Sequence, residues 1–373
     1  MKLLLVGNYA HDGSISMSIW ANILYRELSM RGVEVRLLAP APVFGNVIKS
    51  FHGVGKWLGY IDRYVIFPLK LRRASDWADI VHICDHGSAL YALVLKNKRT
   101  IITCHDMLAI RGALGEVPDC AASLFGRILQ SMIRNGMLCA DQVACVSQYT
   151  FNDARRVLNK TNNLCVVING LNHHFGQLNN DVIDNALANI PKITTPYVLH
   201  IGSNLTRKNR AGVIRIFAIA AKKIKLQLVF AGEPLDKELL LLAQQLRVRD
   251  QIIAVKRPNV ETIESLYNRA LALIFPSRSE GFGWPPIEAQ ACGCPVVGSD
   301  IPPLVEVLGD SAILLPVDDE AGMADAICRL LKDAAWREQM RQRGLENVHT
   351  RFQTSRMIDD YLSLYRKLTC QKL

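Results

Sequence analysis

Glu280 and Glu288 stand in the stretch Ser277 to Asp300, SRSEGFGWPPIEAQACGCPVVGSD, with seven residues between them. Gly281 and Gly283 let the loop after Glu280 bring its backbone N–H groups close to a ligand, because a residue without a Cβ takes unusual φ values freely. Pro285 and Pro286 suit the first turn of a helix, where no N–H donor is needed. Glu288 is then expected in the first turns of that helix, and Glu280 in the loop before it. A glycine loop at a helix start offers N–H groups to an anion. The carboxylates beside it offer acceptors to hydroxyls. A phosphorylated molecule rich in diols uses both.

The stretch HIGSNLTRKN, His200 to Asn209, adds cations. Gly202 and Ser203 follow an apolar run, and Arg207-Lys208-Asn209 precede a helical pattern. Open α/β sheets bind ligands at the carboxyl ends of their strands. Arg207 and Lys208 are expected there, able to neutralise a diphosphate through charge-assisted bonds. Gly232-Glu233 and Lys256-Arg257-Pro258 end two later strands, and a base fits between such loops. Two glutamates alone also serve as the acid and base of glycoside hydrolysis. That chemistry needs no glycine loop and no cationic pair, so a carboxylate gripping a ribose diol is the more natural reading of Glu288.

The first half has three candidate strand exits: Gly7-Asn8 with Gly13, His82 to Gly87, and His105-Asp106. His82 follows apolar strand residues and reads as a satisfied core histidine. His105, at an exit next to an acid, is better placed for a ligand. His82, His86, His173 and His174 match no zinc spacing, so no metal is expected.

The apolar pattern supplies the strands and helices on which these residues sit. Leu3 to Val6, a helix capped by Ser14 and ended by Gly32, and the alternation of Val33, Val35 and Leu37 make a βαβ opening, which implies a parallel sheet. Further strands are expected at 80–83, 100–104, 142–146 and 164–168. Residues 171–196 have no clear period. A second α/β series starts at Tyr197, with later strands at 226–230, 252–255, 271–275, 295–297 and 312–315. The expected organisation is a first domain over 1–170, a linker region over 171–195, a second domain over 196–350 and a terminal helix over 351–373, whose Met357, Tyr361 and Tyr365 share one face.

A chain of 373 residues, half of them apolar, is too long for one ordinary core and is not disordered. Its net charge of +10 suits an anionic partner. Ten scattered cysteines without a CxxC pair read as reduced thiols of a cytoplasmic protein. No window approaches the roughly 20 apolar residues of a spanning helix.

EGFGWPPIEA with the flanking FPS and GCPVVGSD resembles the signature of the retaining glycosyltransferases of family 4 (group 1 type). GSNLTRKN resembles that family's second signature. TCHD at Thr103 to Asp106, VSQYT at Val146 to Thr150 and NGL at Asn169 to Leu171 are similar to weaker motifs. The resemblance implies the GT-B fold: two Rossmann-like domains with parallel sheets facing across a cleft, and a C-terminal helix packing back on the first domain. It implies donor binding by Arg207, Lys208, Gly202, Ser203, Glu288, Gly281, Phe282, Gly283 and Arg257. Glu280 and His105 are implied at the transferred sugar, and Ser147 near the cleft. The implied reaction moves a hexose from a GDP-mannose or UDP-glucose type donor to a glycan or lipid-linked acceptor hydroxyl, with retention, no cofactor and no metal. A nonhydrolysing sugar-nucleotide epimerase of the same fold is the alternative. Asp12, Gly13 and Ser14 stand where many relatives carry paired glycines, which marks them as acceptor-side candidates. Trp284 and Ile168 replace more usual residues.

Residues 49–73 interleave Lys49, Lys56, Arg63, Lys70, Arg72 and Arg73 with aromatics against one acid, Asp62. Such a segment suits an anionic membrane surface, which places the protein at the inner face of the membrane. Nucleic acid is not an expected partner.

Overall fold

The computed structural model describes all residues except 13–14, 46–53, 96, 118–119, 189, 191–192, 195 and 371–373; for residues 12, 15 and 54–56 it describes the backbone alone. Two compact units emerge. The first is Met1–His173 with Thr354–Leu373, and the second is His174–Gln353.

The first unit is built on β1 (Lys2–Val6), β2 (Glu34–Leu38), β3 (Ile80–Ile83), β4 (Arg99–Cys104), β5 (Gln142–Cys145) and β6 (Leu164–Val166). All pair in parallel, in the order β2-β1-β3-β4-β5-β6. Leu3, Leu4, Leu5 and Val6 are all buried, because helices cover both faces of the inner strands of a parallel sheet, whereas the edge strand β2 keeps Glu34 and Arg36 in water. The helix Leu124–Cys139 crosses the short turns His86–Val94, and Gly136 lies so close to the Ala89 carbonyl that a Cβ there would stand 2.1 Å from its oxygen.

The terminal helix Thr354–Cys370 completes this unit, as expected, with Met357, Tyr361 and Tyr365 buried. It closes a polar chain through the sheet. Tyr365 Oη lies 2.7 Å from His82 Nδ1, and Thr103 Oγ1 lies 2.8 Å from His82 Nε2. Thr103 in turn meets Tyr361 Oη at 2.9 Å. Trp20 packs edge-on against His82, His105 and Tyr361, and its Nε1 donates to Asn169 Oδ1. His82 is thus a core histidine with both nitrogens engaged, and burial draws its pKa down to about 3.

The basic and aromatic segment is helical from Val54 to Ser75. The helices Val54–Ile61 and Phe67–Ser75 join through a wider turn, Asp62–Ile66, with helical dihedrals at the junctions. That turn precedes Pro68, which has no N–H to give. Asp62 is buried there and accepts from Phe44 N at 3.0 Å, Gly45 N at 2.9 Å and Tyr9 Oη at 2.9 Å. Burial raises its pKa, yet these donors hold the carboxyl below its usual range. Of the acceptor-side candidates, Asp12 ends the short turn Ala10–Asp12, while Gly13 and Ser14 lie outside the described residues, as does the helix cap expected at Ser14.

The second unit holds β7 (Tyr197–Gly202), β8 (Gln227–Gly232), β9 (Ile252–Lys256), β10 (Ala272–Phe275), β11 (Val296–Ser299) and β12 (Ile313–Leu315). The order is β12-β11-β10-β7-β8-β9, again all parallel. The chain runs outward from β7 through β9, then returns to lay β10 on the other side of β7. One element differs from the sequence reading: the stretch without a clear period holds a helix, Asn180–Leu187. Val182, Ile183, Ala186 and Leu187 do recur at helical spacing, but the run is only eight residues long and Ile183 is its one buried residue.

Tyr365→Phe leaves a buried His82 nitrogen without its partner. Urea unfolding is expected to show a loss of about 1–3 kcal/mol. Burial likewise draws His200 down to about 3. Both folded pKa values lie below the unfolded value near 6.5, so the unfolded chain binds more protons between about pH 6.5 and 3. Stability is therefore full above pH 6.5 and falls on acidification through that window. Thermal melts at stepped pH test this, and a flat profile from pH 7.5 to 4.5 refutes it.

Candidate active site

β7 and β10 are neighbours where the strand order of the second sheet reverses, with Leu199 opposite Leu273. Loops leaving such a pair diverge and open a crevice at the carboxyl edge. The loop after β7 carries a single turn, Thr206–Lys208, and then Asn209, which has φ 51° and caps the helix Arg210–Ala221 through Gly212 N. Asn209 Nδ2 also donates to Pro276 O, and Arg278 N donates to Arg207 O at 2.7 Å. The two loops are therefore tied backbone to backbone before any side chain is considered.

Across this tie Arg207 and Lys208 converge on Glu280. Lys208 Nζ lies 2.6 Å from Glu280 Oε1, and Arg207 Nη1 lies 3.0 Å from Oε2 and 3.1 Å from Ser279 O. Lys208 also stands 5.0 Å over the Phe275 ring. Glu280 is buried. Burial pushes its pKa up, but Lys208 and Arg207 outweigh that and hold the carboxyl below its usual range. Burial draws the Lys208 ammonium down against the pull of Glu280. Two cations share one carboxylate, leaving one positive charge for an incoming anion.

The loop then closes onto the helix Trp284–Ala291. Gly283 has φ 108°, and a Cβ there would meet Leu304 Cδ2 at 2.7 Å, so only glycine fits without strain. The prolines occupy the first helical turn as expected. Phe282 is buried against Trp284 and Phe352, so its side chain anchors the loop and only its backbone faces a ligand role. Glu288 is buried on this helix, and Tyr267 Oη donates to its Oε2 at 3.0 Å. Tyr267 comes from the neighbouring helix Val260–Arg269, and burial, then Glu288, raises its phenol well above the ordinary range.

Gly202 and Gly232 lie side by side at the ends of β7 and β8. Ser203 follows Gly202 and is half-buried. Arg257, exposed after β9, takes φ 45°, and its N–H donates to Gly232 O. His200 stands beneath Gly202; its Nδ1 donates to Ile274 O at 2.9 Å, which fixes the tautomer. The second unit therefore brings Gly202, Ser203, Arg207, Lys208, Glu280 and the Gly281–Gly283 loop to one edge.

His105 belongs to the first unit. It is buried, with Nε2 donating to Cys84 O at 3.0 Å, and burial lowers its pKa while Asp85 raises it. Asp85 accepts from Asn8 and from Gly87 N, and stands 3.3 Å from His86. Ser147 is buried and caps the helix Gln148–Leu158 through Thr150 N. Among the described residues no three His, Cys, Asp or Glu side chains cluster as a metal site. Sequence reasoning missed Tyr267 and Asn209 as the tie between loops, and it named the exit His82 to Gly87 without singling out Asp85. Asp85 alone had a signal, as an acid at a strand exit between Cys84 and His86.

The profile of Glycosyl transferases group 1 matches residues 185–347, and that of Glycosyltransferase Family 4 matches residues 19–175. The chain is 26% identical over 375 residues to N-acetyl-alpha-D-glucosaminyl L-malate synthase of Bacillus anthracis, covering 92% of this chain and 91% of that protein. It is 33% identical over 131 residues to the O-antigen chain mannosyltransferase RfbU of Salmonella typhimurium, covering 35% of this chain and 37% of that protein. Among solved structures, sucrose-phosphate synthase from Thermosynechococcus elongatus superposes with a TM-score of 0.78 at 20% identity, over 99% of both chains. Anabaena HepE, solved with UDP and glucose, gives 0.76 at 14% identity over 98% of this chain and 100% of that chain. At these identities the superpositions speak to the fold, which is GT-B. With both halves of the chain matched and one relative aligned nearly end to end, the chain belongs to the group 1, family 4 glycosyltransferases and is an enzyme of glycosyl transfer.

Proposed function

We propose that the protein is a retaining hexosyltransferase. It moves a mannose- or glucose-type sugar from a nucleoside-diphosphate donor to an acceptor hydroxyl, in the synthesis of cell-envelope polysaccharide or glycolipid. The observation that carries this reading is the convergence of Arg207 and Lys208 on Glu280 at the strand-order reversal of the second sheet. A diphosphate entering there meets two fixed cations that share one carboxylate. As the sugar leaves, negative charge grows on the diphosphate, and preorganised cations and N–H groups stabilise that charge. Glu288, held by Tyr267, grips the ribose hydroxyls. Glu280 lies at the transferred sugar, with His105 assigned to the same sugar. The O-antigen mannosyltransferase relative and the UDP and glucose of HepE support the donor class.

The basic segment 49–73 is proposed to touch anionic lipid at the inner face of the membrane; residues 49–53 lie outside the described residues. Among the described residues no helix is long and apolar enough to cross a membrane.

Glu280→Ala is expected to abolish transfer while nucleoside-diphosphate affinity is kept or gained, since the competing carboxylate is gone. Arg207→Ala is expected to weaken diphosphate binding by roughly ten- to a hundred-fold, the equivalent of one charged hydrogen bond of about 1.5–3 kcal/mol. Calorimetric titration with transfer assays measures both, and a Glu280→Ala enzyme with normal turnover sinks the assignment.

Tyr267→Phe frees Glu288 from its one phenolic donor. A several-fold rise in donor Kd with little change in kcat is expected, because Tyr267 positions the ribose anchor and touches no reacting atom. A thermal-shift panel of UDP, GDP, ADP and their sugars identifies the donor, since the cognate nucleotide raises Tm. Mass and stereochemical analysis of donor incubated alone separates the epimerase, which would convert it without an acceptor.

A further inference from the structure

The helical run Val54–Ser75 turns an apolar stripe outward. Trp57, Ile61, Val65 and Leu69 follow one another four residues apart, and each is exposed, Leu69 to 67%. The helix Leu124–Cys139 does the same with Leu124, Ile128 and Met132, and Leu124 is 80% exposed. The two stripes are joined. Phe125 packs against Trp57 at 5.1 Å and against Tyr60 at 5.6 Å between ring centroids. Nineteen large apolar side chains are exposed among the described residues, and eight of them lie on these two helical stretches. Scattered exposed apolar residues need no explanation, but a contiguous concentration marks a binding surface.

Charge selects the occupant. The exposed charges on the described side chains of these stretches are Lys70, Arg72, Arg73 and Arg127. The one acid, Asp62, is buried and consumed by Tyr9, Phe44 and Gly45. The first exposed acid, Asp76, comes after the helix has ended. A second copy of this chain would bring cations onto cations, with +10 on each. An anionic bilayer offers both what the stripes need and what the cations need. Apolar side chains enter the headgroup–acyl boundary, Trp and Tyr sit at the interface, and Lys and Arg meet lipid phosphates.

We propose that the Val54–Ser75 and Leu124–Cys139 helices together form a docking face that inserts shallowly into an anionic lipid surface. This rests on the lipid reading of the basic segment and extends it to a second helix far away in sequence, and from attraction to insertion.

The test is vesicle co-sedimentation of the full chain with phosphatidylcholine alone and with added phosphatidylglycerol, at low and high salt. The wild type is expected to pellet only with phosphatidylglycerol. Leu124→Ser, Ile128→Ser and Met132→Ser combined are expected to lower the bound fraction by roughly tenfold or more, with an unchanged melting curve because these side chains are exposed. The Lys70→Glu, Arg72→Glu and Arg73→Glu combination is expected to abolish binding. Loss in the charge reversal but not in the serine variant overturns the two-helix face and leaves the basic-segment reading standing. Loss in neither overturns both. Gel filtration runs alongside: a wild-type dimer that the serine variant dissociates also overturns the proposal, in favour of a second copy. If the triple serine variant melts early, Ile128→Ser alone replaces it, with a smaller loss expected and the same reading of no loss.

Discussion

The largely buried ammonium of Lys208, its side chain 12% exposed, is the constraint on which the second unit's site depends. A buried charge costs several kcal/mol unless an opposite charge meets it with good geometry. Glu280 meets it from the loop after β10, so the ends of β7 and β10 must lie side by side. A simple succession of strands would not bring them together; the return of the chain across β7 does. The backbone bond from Arg278 to Arg207 and the cap at Asn209 hold both loops at that spacing. Buried ion pairs add little to stability over apolar packing. Retaining three charged groups here fits a site that handles an anion better than one that only holds the fold together.

The first unit solves the opposite problem. Its buried polar chain is neutral, from Tyr365 through His82 and Thr103 to Tyr361. Each group gives or takes a hydrogen bond, so no charge need be buried. The chain also explains how a helix at the far end of the sequence belongs to this sheet: its tyrosines complete a network that would otherwise leave His82 with unmet bonds. At the sheet's carboxyl edge the character changes, and the Asp85 carboxyl, held below its usual range despite burial, stands 3.3 Å from His86.

Much of this was legible along the chain. Parallel strands buried on both faces read as continuous apolar runs, as at Lys2–Val6 and Ala272–Phe275, while the half-exposed edge strand Glu34–Leu38 reads as an alternation. Gly283 with Pro285 and Pro286 announced a tight loop entering a helix, and Met357, Tyr361 and Tyr365 announced an inward face. The reading failed where that logic is inverted or too weak. Trp57, Ile61, Val65 and Leu69 have helical spacing, but they face outward, so the rule that the apolar face is the buried one does not interpret them. The helix Asn180–Leu187 carries its period over barely two turns, with a single buried residue, between flanking stretches that have none.

Side-chain pattern alone carries the strands and most helices, the glycine and proline positions that shape the loops, and the family. Each of these is local, set by side-chain pattern and backbone preference within a few residues. That Glu280 is shared by both cations, that Tyr267 holds Glu288 and that Tyr365 completes His82 emerges only once the chain is folded. The same holds for Phe125, which joins two exposed stripes into one face. Those pairings depend on which strand ends and helix faces become neighbours. Strand order and helix packing set that, and neither leaves a mark at the residues concerned.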